Sequence, residues 1–223
     1  MSLPDWIDVV TMPGGLTPVR GEKLRHWELC ETWRVWWSEG PPTIVKRAAG
    51  GEAAEADAHE RLLIPYAIAA PRLLAVTRGD DVAVLVLADV GAHTLEQRPS
   101  ADGFRAAARM LAGMRHAAAG RLGGASEFRL DDHQIMDMWV RVTRGLVARR
   151  PDLGSALSGV DHWLPSHLAR LRDTVSETIV HGDFESKNLM LTPDGVMAID
   201  IKIRVARTPD HPAADVRRLR APA

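Results

Sequence analysis

Three polar residues near the end of the sequence have the types and spacing needed to bind a metal ion and a reacting hydroxyl. Asp183 and Asn188 lie in the segment IVHGDFESKNLML, and Asp200 ends the segment AID. The apolar residues around them predict short strands, so the polar residues fall on turns. A carboxylate can accept the proton of a hydroxyl, and carboxylate and amide oxygens are ligands that Mg²⁺ prefers. This pattern indicates phosphoryl transfer from a nucleotide, which also needs a cation for the phosphates.

A lysine and a glutamate in the first half of the chain are candidates for that cation and its support. Lys46 lies near the end of the segment TIVKR, which predicts a strand paired with ETWRVWW across the turn SEGPP. The next segment, GGEAAEADAHERLL, is rich in helix formers and predicts a helix that ends near Pro65. A helical glutamate can hold such a lysine in place. On an exposed strand Lys46 would usually be a solvated charge. If it contacts phosphates instead, we expect its removal to impair catalysis more than folding.

The remaining patterns predict an α+β protein with two lobes. The segments APRLLAV and VAVLVLADV predict two further strands. Three segments with apolar residues at helical spacing follow: ADGFRAAARMLAGMRHAAAG, DDHQIMDMWVRVTRGLVARR and DHWLPSHLARLRDTVSE. LTPDGVMAID then predicts a hairpin with Asp183 and Asn188 at one end and Asp200 at the other. We predict a β-rich lobe with one helix over residues 1–95 and a mainly helical lobe over residues 96–223.

Composition excludes several other classes of protein. The chain has 223 residues, a formal net charge of −1 and a single cysteine, Cys30. This charge is unlike the basic footprint of a nucleic-acid-binding protein, and no apolar run is long enough to span a membrane. The N-terminus lacks the pattern of a signal peptide, and one cysteine forms no internal disulfide. We therefore expect a cytoplasmic protein that binds neither nucleic acid nor membrane.

The order of these motifs resembles the aminoglycoside phosphotransferase family. The motifs are IVK, a helix with a glutamate, VLVLADVG, HGDFESKN and AID, and the resemblance covers roughly residues 20–220. It implies a bilobal protein-kinase-like fold and transfer of the γ-phosphate of ATP to a hydroxyl, with Mg²⁺ as cofactor. Asp183 would be the catalytic base, and Asn188 and Asp200 would be the metal ligands.

The same resemblance implies a set of nucleotide-binding residues. Lys46 would contact the α and β phosphates, and Glu55 would pair with it, with Glu60 as the alternative partner. The backbone at Ala88 and Val90 would hydrogen-bond the adenine. His181 would brace the loop that carries Asp183.

Two departures from the family pattern bear on the substrate. The stretch RHWELCETW has no glycine where the family carries a glycine- or serine-rich loop over the phosphates. The C-terminal part is short and contains five arginines: Arg204, Arg207, Arg217, Arg218 and Arg220. This charge suits an anionic acceptor or an acidic partner surface better than a cationic aminoglycoside. We expect that a partner protein or a second copy of the chain completes the acceptor site.

Three hypotheses for the function follow. The first is a kinase that phosphorylates a hydroxyl of a small molecule. The second is a Ser/Thr kinase of a peptide substrate in a ribosomal-peptide dehydration complex, of the lanthipeptide or thioamitide kind. The third is a nucleotide-binding pseudokinase, which the missing glycine loop favours and the intact Asp183, Asn188 and Asp200 oppose.

Overall fold

A computed structural model describes residues 3–8, 10, 12, 14–119, 121–122, 128–129, 131–174 and 177–207. These residues form two compact units, one within 3–117 and 181–203 and the other within 118–180 and 204–207. Sheet and helices together confirm the predicted α+β class. The predicted lobe boundary after residue 95 stays a prediction. Of the C-terminal arginines, Arg217, Arg218 and Arg220 lie outside the described residues.

The first unit contains a five-stranded antiparallel sheet. A short helix, α1 (Asp5–Asp8), precedes it. The strands are β1 (Pro18–Trp27), β2 (Cys30–Trp37), β3 (Thr43–Ala49), β4 (Leu73–Arg78) and β5 (Val82–Ala88), in the order β1-β2-β3-β5-β4. The predicted strands β2 to β5 are confirmed. The edge strand β1 was not predicted, because its mostly polar, exposed residues lack the alternation that marks a half-buried strand.

Alternating side chains give the sheet two different faces. Trp33, Val35 and Trp37 of β2 are buried in an apolar core on one face, together with Val45 of β3. Trp33 and Trp37 are thus buried, whereas Trp27 at the end of β1 is 62% exposed. On β3, Val45 is followed by Lys46, which faces the opposite side because successive side chains alternate. The sheet therefore directs Lys46 away from the tryptophan core.

A short helix covers the Lys46 face of the sheet. A 3₁₀ turn (Gly50–Ala53) leads into α2 (Ala54–Ala58), and a π-helical turn (His59–Leu63) continues it. Ala56 is fully buried beside apolar residues of β5. The helical segment ends before Pro65, as predicted.

The rest of the first unit is a helix and a small hairpin. These are α3 (Ala101–Ala118), β7 (Leu189–Thr192) and β8 (Gly195–Ala198), which pair antiparallel as predicted. Leu95, Ala107, Leu189 and Ala198 form their shared core. The hairpin is thereby anchored against α3, which fixes the segments that lead into and out of it.

The second unit contains two long helices and a strand pair. Helix α4 (Asp132–Arg149) begins with a capping box made by Asp131 and Gln134, and α5 (Gly154–Thr174) follows it. Helix α5 begins earlier than predicted, since its Gly- and Ser-containing first turns are typical of a loop. Strands β6 (Glu177–Val180) and β9 (Arg204–Arg207) pair antiparallel. In the described part of the chain, every helix is too short or too polar to cross a membrane.

Candidate active site

A buried ion cluster joins three segments of the first unit. Lys46 of β3 donates hydrogen bonds to the carboxylates of Glu55 and Asp200, the latter at 2.6 Å. Glu55 of α2 also accepts the backbone N–H of Ile201 at 3.3 Å. Lys46 is only 5% exposed and Glu55 only 7%. The predicted residues Lys46, Glu55 and Asp200 are therefore brought together, and Glu60, the alternative partner, pairs instead with Arg78 on the surface.

Opposite charges in this cluster favour the ionised forms of Lys46 and Asp200. Burial by itself lowers the pKa of Lys46, but the carboxylates of Glu55 and Asp200 outweigh it and raise that pKa above its ordinary value. Burial raises the pKa of Asp200, but Lys46 and Arg25 outweigh it and lower that pKa. Lys46 is thus a fixed positive charge at neutral pH, as a phosphate-binding group requires.

The loop between residues 181 and 188 places Asp183 beside Asn188. The side-chain amide of Asn188 donates to the backbone carbonyl of Asp183 at 3.1 Å and to its Oδ2 at 2.9 Å. His181 is fully buried, and its Nδ1 accepts the backbone N–H of Asp183 at 3.3 Å. These contacts fix the carboxylate of Asp183 and give His181 the bracing position expected of it.

Gly182, in this loop, packs closely against the backbone of Lys202, two residues after Asp200. Gly182 has φ +80°, and a Cβ on it would overlap the backbone carbonyl of Lys202. Asp200 itself has φ +56°, a left-handed conformation that is uncommon for a residue with a side chain. Such backbone strain is typical of functional positions held by the surrounding structure.

Asn188 and Asp200 suit a hard divalent cation. The amide oxygen of Asn188 is buried and has no hydrogen-bond partner among the described residues. A buried oxygen without a partner is costly unless something else binds it. An amide oxygen and a carboxylate oxygen are the donor types that Mg²⁺ takes from proteins. The residues present therefore fit the predicted metal.

A cavity of about 390 Å³ lies next to Lys46. Ala88 and Val90, predicted to contact adenine, both line it. Apolar side chains also line it, among them Ile44, Leu87, Met190 and Ile199. A cavity that combines apolar side chains with backbone groups and a lysine has the chemistry to hold a flat base followed by phosphates.

A second cavity, of about 320 Å³, is lined by Asp183. Cys30 and Thr32 of β2 border it, as do Asp200 and Lys202. Burial raises the pKa of the Cys30 thiol, which disfavours the thiolate that a nucleophile requires.

Two arginines of the sheet were missed by sequence reasoning. Arg34 of β2 donates from Nε to Asp89 at 2.6 Å and from Nη2 to the carbonyl of Gly91 at 3.1 Å, and so holds the segment between Ala88 and Gly91. Arg25 of β1 donates to Asp200 at 3.3 Å. Arg25 lies in the mostly polar strand β1, and Arg34 lies between the apolar residues Trp33 and Val35 of β2. At either position a solvated charge is the usual interpretation.

The sheet with its buried Lys–Glu pair, and the hairpin flanked by Asp183, Asn188 and Asp200, define a protein of the kinase-like phosphotransferase class. The chain belongs to the phosphotransferase enzyme family known as APH, whose sequence model matches residues 29–200. This confirms the family predicted from the order of the motifs. A search among curated proteins gives no significant match.

Solved structures of aminoglycoside phosphotransferases share the fold. APH(3'')-Id from Streptomyces rimosus, in complex with ADP and streptomycin, is 21% identical with a TM-score of 0.53, over 84% of this chain and 72% of that one. APH(2'')-IIa, in a ternary complex with streptomycin and ATP, is 12% identical with a TM-score of 0.56, over 85% and 68%. APH(4)-Ia, in a ternary complex with ADP and hygromycin B, is 12% identical with a TM-score of 0.52, over 82% and 66%. At these identities the likeness establishes the protein-kinase-like fold.

Proposed function

We propose that the protein is an ATP- and Mg²⁺-dependent phosphotransferase that phosphorylates a hydroxyl group of a small molecule. The observation that carries this proposal is the position of Lys46, whose buried ammonium bonds both Glu55 and Asp200. A lysine held ionised at the border of a base-sized cavity is suited to bind the α and β phosphates of a nucleotide.

The other site residues have complementary roles in this proposal. The adenine occupies the larger cavity, where the backbone of Ala88 and Val90 hydrogen-bonds it. Asn188 and Asp200 hold Mg²⁺, which supplies positive charge against the phosphate oxygens when bound. Nucleotides in the structures of APH(3'')-Id and APH(2'')-IIa support ATP as the donor.

Asp183 acts on the acceptor. Its carboxylate, oriented by the amide of Asn188, accepts the proton of the acceptor hydroxyl. The hydroxyl oxygen forms a bond to the γ-phosphorus while the bond from that phosphorus to the β–γ bridging oxygen breaks. The products are a phosphate ester, ADP and the proton on Asp183, which solvent then removes.

The choice of acceptors to test is guided by the ligands of the related enzymes. Three related enzymes form complexes with streptomycin or hygromycin B, so aminoglycosides are the first acceptors to test. Neutral and anionic alcohols belong in the same panel, because the arginines near the C-terminus favour less cationic acceptors. A peptide acceptor and a pseudokinase remain hypotheses that the same assay addresses.

The test is a screen of hydroxyl acceptors with the purified chain, ATP and Mg²⁺. Mass spectrometry detects an acceptor that has gained one phosphoryl group, and a coupled assay measures ADP. We expect at least one acceptor to be phosphorylated, with no product when nucleotide is omitted. Nucleotide binding without acceptor-dependent ADP release across aminoglycosides, alcohols and Ser-containing peptides would instead support the pseudokinase hypothesis.

A further inference from the structure

A β-bulge sets the direction of Arg25. In the pairing of β1 with β2, Lys23 lies opposite Trp33 and Arg25 lies opposite Thr32, so that Leu24 is an extra residue on β1. Trp33 and Thr32 are successive residues of β2, and their side chains point to opposite faces of the sheet. Lys23 and Arg25 therefore also face opposite ways, although two positions on an unbulged strand would share a face.

The contacts of the two side chains agree with this register. Lys23 pairs with Glu31 at 2.8 Å and lies over the ring of Trp33, on the tryptophan face. Arg25 reaches Asp200 on the other face, at the site. The bulge thus directs the guanidinium of Arg25 into the cavity that Lys46 also lines.

Arg25 stands where the two cavities meet. Four residues line both cavities, namely Arg25, Thr32, Lys187 and Asp200. Under the proposed function, the base lies in the larger cavity and the acceptor lies beside Asp183 in the smaller one. The terminal phosphates must then pass the junction of the two, where two of the four shared residues are cations.

We propose that Arg25 and Lys187 bind the terminal phosphates of the nucleotide. This inference rests on the proposed function. A guanidinium matches phosphate oxygens with several N–H donors, and an ammonium adds a mobile positive charge.

Both side chains are free to change partners. The side chain of Arg25 is 34% exposed and that of Lys187 is 41% exposed. Arg25 holds Asp200 at the long distance of 3.3 Å, and Lys187 pairs with Glu185 on the surface. The exposed Lys187–Glu185 pair stabilises the fold little, and the Arg25–Asp200 contact is long, so a phosphate can displace both.

The test is nucleotide binding measured by titration calorimetry, without turnover. The wild type and the variants Arg25→Ala and Lys187→Ala are titrated with AMP-PNP and with adenosine. We expect each variant to bind AMP-PNP roughly 10-fold or more weakly, as for the loss of a charged hydrogen bond, and adenosine as the wild type does. Arg25→Lys is expected to recover part of the loss. Lys23→Ala, on the same strand and the opposite face, is the control and is expected to bind both ligands normally.

A second experiment distinguishes a role of Arg25 in binding phosphate from a role in positioning Asp200. If Arg25 served only to position Asp200 for the metal, Arg25→Ala would bind AMP-PNP like the wild type once EDTA has removed divalent cations, and this would overturn the inference. Unchanged AMP-PNP affinity in both alanine variants, or equal losses for AMP-PNP and adenosine, would also overturn it. A wild-type chain that binds no AMP-PNP contradicts the proposed function itself, and the inference with it.

Discussion

The ammonium of Lys46 lies 2.6 Å from the carboxylate of Asp200, although 154 positions separate the two residues in the sequence. Glu55 bonds the same ammonium from α2. Strand β3, helix α2 and the segment after β8 are thus joined through one buried charge cluster. Substitutions in this cluster affect folding as well as the site.

Because Lys46 is buried, removing its charge is expected to destabilise the protein in addition to impairing catalysis. In Lys46→Met, Glu55 is left buried without its cation, a change that costs about 3–5 kcal/mol of unfolding free energy. The double variant Lys46→Met with Glu55→Gln is expected to recover part of that loss, because no charge is then left unpaired. Denaturant unfolding measures the free energy of unfolding of the two variants and of the wild type.

The matched control is Arg78→Met, whose ion pairs with Asp57 and Glu60 are exposed. Exposed pairs contribute about 0–1 kcal/mol, so little change is expected. A Lys46→Met variant as stable as the wild type would show that the cluster contributes nothing to folding.

Lowering the pH is expected to reduce the free energy of unfolding, because Asp200 becomes protonated. Its pKa in the folded protein is lowered from 3.8, because Lys46 and Arg25 outweigh the effect of burial. A depressed carboxyl pKa contributes stability that is present above the unfolded value and is lost as the pH falls through the folded value. We expect Asp200→Asn to lose less unfolding free energy than the wild type between about pH 5 and pH 2. Asp194→Asn, in the exposed turn of the β7–β8 hairpin, is the control, and equal slopes in all three proteins would refute the assignment.

Asp183→Asn is expected to bind nucleotide normally and to transfer phosphate poorly. The loss of a general base lowers turnover by roughly 10²- to 10⁴-fold, while the nucleotide contacts remain. Steady-state turnover and nucleotide titration measure the two effects separately, with Asp194→Asn as control. Wild-type turnover in Asp183→Asn would exclude its role as the base.

Asn188→Ala and Asp200→Ala are expected to reduce the dependence of ATP binding on Mg²⁺. Each variant removes one proposed oxygen ligand, so less positive charge is held at the phosphates. Titrations of ATP with Mg²⁺ and with EDTA give the metal-dependent part of the affinity, and melting temperatures report whether the variants fold. A wild-type protein that binds ATP equally well under both conditions would contradict the metal site.

Gly182→Ala is expected to destabilise the protein by more than about 1 kcal/mol, since alanine is strained at this φ and its Cβ would overlap Lys202. The matched control is Gly113→Ala in α3, where an added Cβ meets no atom within 4 Å. Helix propensity favours that change by about 1 kcal/mol. Thermal unfolding compares the two, and equal effects would show that Gly182 is not constrained.

Much of the site was predictable because its motifs are local in sequence. Asp183 and Asn188 share one loop, and their relation to Asp200 follows from a hairpin with a clear turn signal. Lys46 was predicted because TIVKR, which follows the turn SEGPP, has the composition of a strand, and because the order of the motifs assigns its lysine to the phosphates. The order of these motifs along the chain then indicated the family, because members of the family carry the same motifs in the same order.

The tertiary structure decided which charges are buried and what they touch. The sequence leaves Lys46 as a charge on a strand and Arg25 as one of several cations in a polar segment. Burial depends on α2 covering one face of the sheet, and the direction of Arg25 depends on an extra residue, Leu24, in the pairing of β1 with β2. A bulge breaks the period of two, and an exposed edge strand carries no alternation to reveal it. Strand pairing is a long-range property, so only the folded chain sets the register that brings Arg25 to Asp200.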